Sequence, residues 1–221
     1  MPKNNKKNSS PKEIELSERN VILIGLVIIV AFALIFYLST QFLEKEENFG
    51  IGDTSEIFIQ AKNGNISFSN IEKQGSQVSF NWNSEGLGNG SRTISNIENS
   101  RDVAGVYEIN ESIETNATNP WLSRAVFKEL KEGKNATVWR LSVQNYSGLV
   151  AFIKYNGTLL KIGDGKFSIK INGISKQLSS ILIQNDNMEV SEVWDNEDNP
   201  LILASYSKNE TRSRIMEIKT K

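Results

Sequence analysis

Residues 154–174 read KYNGTLLKIGDGKFSIKINGI. Three Asn-Gly or Asp-Gly pairs, Asn156-Gly157, Asp164-Gly165 and Asn172-Gly173, punctuate three short apolar runs. Such pairs favour the positive-φ geometry of two-residue hairpin turns. The stretch therefore predicts strands over 148–155, 158–162 and 166–171, joined by tight turns. Working outward, apolar residues recur with period two over 136–143, 178–184, 188–194, 200–206 and 213–219. Short connections make neighbours antiparallel, so this half reads as a meander of about eight strands.

Upstream of the meander lies Asn119–Lys134, NPWLSRAVFKELKEGK. Asn119 is a capping residue type and Pro120 suits a first helical turn. Leu122, Ala125, Val126 and Leu130 follow at helical spacing, and Gly133 is a C-terminal stop. Further upstream, Asn63-Gly64 marks a hairpin between 56–61 and 65–68. Val78, Phe80 and Trp82 alternate with polar residues as a half-buried strand. Residues 84–101, rich in Gly, Ser and Asn, read mainly as loop, and 103–109 as a strand. The predicted fold class is mainly β (α+β), an antiparallel β-meander of half-barrel or barrel-like form. One helix packs in its concavity, and a closed barrel or sandwich is the alternative.

A different pattern opens the chain. Residues 21–38, VILIGLVIIVAFALIFYL, hold no charge. At 1.5 Å per residue an 18-residue helix is about 27 Å long, close to the bilayer core. Phe42 and Leu43 extend it, so 21–43 predicts a transmembrane helix that contacts the lipid bilayer. The run is longer than the apolar part of a cleaved signal peptide, so an uncleaved anchor is expected. Lys3, Lys6, Lys7, Lys12 and Arg19 precede it, whereas only Lys45 and Lys62 follow closely. The positive-inside bias places the N-terminus in the cytoplasm and the C-terminal domain outside. The domain organisation read from sequence is a disordered tail over 1–20, the anchor over 21–43, a linker over 44–55 and a β-rich extracytoplasmic domain over 56–221.

Composition excludes much chemistry. The 221 residues contain no Cys and no His. Disulfides, zinc fingers, thiol nucleophiles and Ser-His-Asp triads are ruled out. A net charge of −1 gives no electrostatic footprint for nucleic acid. No cofactor motif is present: the glycines of 86–91, GLGNGS, lack the Lys-Ser/Thr of a phosphate loop. Paired carboxylates or a Ser–Lys dyad are chemically conceivable, but this composition makes neither specific. The acidic run Glu192–Asn199 could supply oxygen ligands to Ca²⁺, yet it lacks the EF-hand Gly and final Glu and reads as a polar turn. Lys128, Lys131 and Lys134 form a charged helix face expected to be solvated. Trp82, Trp121, Trp139 and Trp194 read as core, with a sugar-stacking platform as the alternative. No catalytic, cofactor or metal residue is assigned.

Asn-x-Ser/Thr occurs at Asn65, Asn89, Asn110, Asn116, Asn135, Asn145, Asn156 and Asn209, with Asn8 in the tail. Composition alone gives about half as many, and sequons in an exposed domain are candidates for N-glycosylation. An Asn- and Ser-rich composition is the competing explanation. An anchor, many sequons and no Cys together fit a prokaryotic envelope protein.

Asn119–Lys134 together with Glu192–Tyr206, EVWDNEDNPLILASY, resembles prokaryotic envelope domains in which a helix precedes a β-meander. Their layout is similar to the half-barrel of periplasmic lipoprotein carriers. The resemblance spans about 100 of the 221 residues and implies an apolar-ligand role, with no catalytic residues to carry over. The expected function is a non-enzymatic, single-pass envelope protein whose outer domain binds a protein partner or envelope layer. A membrane-tethered half-barrel for lipid or another apolar ligand is the alternative.

Overall fold

The computed structural model describes residues 28–34, 47–86, 88–104, 113–115, 118–146, 149–208 and 210–221. The chain divides into two units, 1–45 and 46–221. In the first, residues 28–34 are helical, and Ile28, Ile29, Val30, Phe32 and Leu34 are exposed. The rest of the expected span 21–43 lies outside the described residues. Among the described residues, no helix is long and apolar enough to cross a membrane.

The second unit is mainly β. Its described strands are β1 Thr54–Ala61, β2 Gly64–Gln74, β3 Gln77–Ser84, β4 Gly88–Ile94, β5 Asp102–Ala104, β6 Ile113–Thr115, β7 Ala136–Tyr146, β8 Leu149–Ile171, β9 Ile174–Asn185, β10 Val190–Trp194, β11 Ile202–Ser207 and β12 Glu210–Thr220. One helix, α1, runs Arg124–Lys131. The sheet order is β5-β7-β8-β9-β10-β11-β12-β1-β2-β3-β4-β6. Most pairings are antiparallel, but β4–β6, β5–β7 and β8–β12 are parallel. The β8–β12 pairing joins Lys170 to Glu217 and Ile171 to Ile218. It makes β8, β9, β10, β11 and β12 a closed circuit, with β1–β4 extending from β12.

The opening stretch folds differently from expectation. Residues 149–171 form one strand of 23 residues, and two of the three expected turns lie inside it. Gly157 pairs with Val138, where a Cβ would lie 3.0 Å from the Arg140 side chain. Gly165 pairs with Ser180, where a Cβ would lie 2.9 Å from the Ser180 Oγ. These glycines admit close neighbours rather than reversing the chain. Asn172-Gly173 is a true turn, with both φ values positive. The same rule corrects 84–101, expected as loop. Here β4 runs through it, and a Cβ on Gly90 would lie 2.9 Å from the Trp82 indole nitrogen. Among the described residues six strands, not eight, therefore follow the helix.

The helix starts later than expected. Ser123, not Asn119, is its cap, accepting a hydrogen bond from the Val126 amide at 3.3 Å. Pro120 lies in a cis peptide, and Trp121 bridges to Leu201. At the other end the Gly133 amide donates to Leu130 and the Lys134 amide to Glu129, with Gly133 at φ +74°. That is a Schellman closure, which only glycine enters without strain.

Two apolar cores result. The larger unites Phe68, Phe80, Trp82, Trp121, Phe167, Leu178, Trp194 and Leu203 with other residues of the circuit and of β1–β4. The smaller joins Leu122, Val126, Phe127 and Leu130 of the helix segment to Ala136, Val138, Leu159, Ile181, Ile183 and Val193. On β9 Leu178 serves the first core while Ile181 and Ile183 serve the second; on β10 Trp194 and Val193 divide likewise. Alternation puts these on opposite faces. The helix thus covers the outer face of the circuit, whereas the sequence predicts it in the concavity. Residues 47–55, expected as linker, belong to this unit: Ile51 is buried, and the Phe49 ring meets Trp194 edge-on at 4.8 Å.

The turn 195–200 ties these layers together. Asn199 is fully buried. It accepts from Trp121 Nε1 at 2.8 Å and donates to Thr54 Oγ1 at 3.3 Å. Truncating one member of a buried network strands its partners. Asn199→Ala is expected to cost about 1–3 kcal/mol in urea unfolding. A loss below a few tenths would show that these bonds are dispensable.

Candidate functional site

The sequence-selected residues disperse. Trp82, Trp121 and Trp194 are buried, so the four tryptophans make no common platform, and Trp139 alone of them is exposed. Among the described sequons, Asn65, Asn89, Asn135 and Asn156 are exposed. The side chain of Asn145 and the whole of Asn110, Asn116 and Asn209 lie outside the described residues.

The acidic run and the basic helix face find each other. Arg124 pairs with Glu98, Glu197 and Asp198, Lys128 with Glu197, and Lys131 with Asp195 at 2.6 Å. The helix face expected to be merely solvated therefore neutralises the acidic turn. Each such exposed pair is worth roughly 0–1 kcal/mol, so the effect is to fix position rather than add much stability. Among the described residues no acidic group forms a metal cluster.

The circuit closes imperfectly, and this produces the candidate site. β8 pairs with β7 through Leu159 and with β12 only at Lys170 and Ile171. Between them, on the edge away from β9, residues 160–169 have no strand partner among the described residues. Arg214 of β12 reaches across: its Nη2 donates to the Ser168 carbonyl at 3.2 Å, and its guanidinium lies 4.9 Å from the Phe167 ring centre. Beside it is a shallow groove of about 200 Å³ lined by Ser168, Ile169, Lys170, Arg214, Ile215 and Met216. Met216 and Ile162 are exposed. Lys161 and Lys166 also lie on this run and Lys170 follows it, with Lys161 paired to Asp164 at 2.6 Å. A register shift between Lys161 and Gly163 bulges the edge at Ile162.

Behind the seam sits a buried carboxylate. Glu192 is 7% exposed and accepts from Ser180 Oγ at 2.5 Å and from the Tyr206 hydroxyl at 3.4 Å. Gly165 leaves room for both Ser180 and Glu192. Burial pushes the Tyr206 phenol above its ordinary range; the Glu192 charge and hydrogen bond add to this, and Arg214 opposes them. The trio crosslinks β9, β10 and β11 at the level of the seam. Sequence reasoning passed over it, because Glu192 looked like the first residue of an acidic turn. Its period-two partner Trp194 was the available signal that position 192 faces inward.

No protein-family model, no curated protein and no solved structure matches this chain.

Since Tyr206 holds its proton more tightly when folded, its contribution is intact below the unfolded-state pKa near 10 and is lost as pH rises through the folded-state value. Tyr206→Phe is expected to flatten the alkaline fall in stability above about pH 10, followed by urea unfolding. An unchanged alkaline limb would show that other groups govern it.

Proposed function

We propose that the chain is a single-pass, membrane-anchored envelope protein whose barrel-like outer domain is a non-enzymatic binding module. It takes up an extended, acidic segment of a partner protein along the open edge of β8. The observation that carries this reading is an unpaired strand edge beside a filled interior. Edge strands present unused N–H and C=O groups, and an added strand satisfies them. Lysines and a bulge are the devices that stop such an edge pairing with its own copy. Lys166, Lys170 and Arg214 repel a like-charged copy of the edge and favour an acidic strand.

The lipid-carrier alternative needs an open apolar cavity. The interior is instead closed by Trp121, Trp194, Phe68 and Phe80, each at most 2% exposed. The seam groove of about 200 Å³ is also below the roughly 300–1,000 Å³ usual for ligand pockets. The uncharged run 21–38 supports the anchor, as does the exposure of apolar side chains over 28–34.

Full-length protein isolated from its own membranes tests the reading. The expected result is a stoichiometric partner protein together with amide-exchange protection of residues 160–169 that disappears when the partner is removed. The variant Lys166→Glu should lose both while keeping the wild-type thermal midpoint. A stoichiometric lipid without protein, or protection unaffected by the partner, would overturn it.

A further inference from the structure

We propose that Glu192 receives one basic side chain of the bound segment, a Lys or Arg on the residue that pairs with Gly165. This rests on the edge-binding reading above and names a specificity determinant within it.

Glu192 is 7% exposed, and its two hydrogen-bond partners, Ser180 and Tyr206, are neutral hydroxyls. A buried carboxylate is as a rule met by a cation. Among the described residues no Lys or Arg forms an ion pair with Glu192. The seam's own cations are engaged elsewhere. Arg214 is held on the Ser168 carbonyl and the Phe167 ring, and Lys161 on Asp164. Lys166 alternates with the inward-facing Phe167, so it lies on the opposite face of β8. A neutral amide would tie the two hydroxyls as well as a carboxylate does. What the carboxylate adds is a charge, and burying it is costly until a cation arrives.

The approach to that charge runs past Gly165. A Cβ there would lie 2.9 Å from Ser180 Oγ and 3.2 Å from Glu192 Oε1. The inward face of Gly165 therefore points at the trio, and Gly165 puts no side chain of its own between the free edge and the carboxylate. Directly paired residues share a face, with Cβ atoms about 4.5–5.5 Å apart. A residue of an added strand that pairs with Gly165 thus starts about 5 Å from the carboxylate's edge of the sheet, a distance the long stems of Lys and Arg cross with their charge at the tip. The neighbouring residue of the added strand falls on the outer face, where Lys166 favours an acidic group. The bound segment is therefore acidic on its outer face and carries a basic residue next to an acidic one, facing inward.

The test uses full-length protein in detergent and a displayed library of random ten-residue peptides. Amide exchange first selects the enriched peptides that protect residues 160–169. These are expected to be acidic, with Lys or Arg at one fixed position. Replacing that residue by norleucine should weaken binding to the wild-type protein about tenfold to a hundredfold. Selection on Glu192→Gln, which keeps the side chain's shape, should yield acidic peptides with no fixed basic position. Edge-protecting peptides without a fixed basic position, or a norleucine swap that changes binding less than about twofold, would overturn this inference and leave the binding module standing. The same basic preference on Glu192→Gln would overturn it too. If no enriched peptide protects 160–169, both fall.

Discussion

The length of β8 constrains everything around it. Twenty-three residues of straight strand would span about 75 Å, whereas a 176-residue domain has a radius of gyration of about 16 Å. The strand must bend, and it does so where a register shift bulges Ile162 and glycines flank the bend at 163 and 165. Its first half is laddered to β7, its second to β9, and its last two residues to β12. One continuous strand therefore carries both the hairpin that supports the helix and the closure of the circuit. Because bending takes β8 away from β7 before it meets β12, ten residues of edge are left unladdered among the described residues. The seam is a geometric consequence of closure, and the candidate site is that seam.

The rest of the domain secures the two layers that closure creates. Core residues on β9 and β10 alternate between the interior and the helix side, so these strands are buried on both faces. The turn 195–200 then locks the layers through Asn199, which links Trp121 to Thr54, and through acidic groups that meet Arg124, Lys128 and Lys131. The interior is filled by aromatic rings in edge contact, such as Phe68 with Phe80 and Phe80 with Trp121. A filled interior leaves surface features to do the recognising. That is why the binding-module reading rests on the β8 edge.

Much of this was legible in the chain. Period-two patterning located most strands because one face of each is buried, and Gly133 marked the helix end because its conformation there requires glycine. Turn chemistry was less dependable. Asn156-Gly157 and Asp164-Gly165 have the same letters as the true turn at Asn172-Gly173, but a glycine also serves where a neighbour crowds the backbone. Only the cross-strand partners, Val138 and Ser180, distinguish the two uses, and those lie 19 and 15 residues away in sequence. The helix cap was missed for a similar reason. Asn119-Pro120 has the composition of a helix start, yet its tertiary task is to bring Trp121 to Leu201. The seam itself was invisible, since closure joins residues 170 and 217 by a two-residue ladder that no local pattern encodes.

The absence of cysteine from the chain permits a clean test of that closure. Lys170 and Glu217 face each other across the parallel β8–β12 ladder, at a spacing a disulfide can span. The double variant Lys170→Cys, Glu217→Cys should oxidise to an intramolecular disulfide nearly completely. Lys166→Cys with Glu217→Cys, displaced by about 13 Å along the strand, should not. If both pairs remain as free thiols in folded protein, or both oxidise alike, the circuit is not closed as described and the seam does not exist.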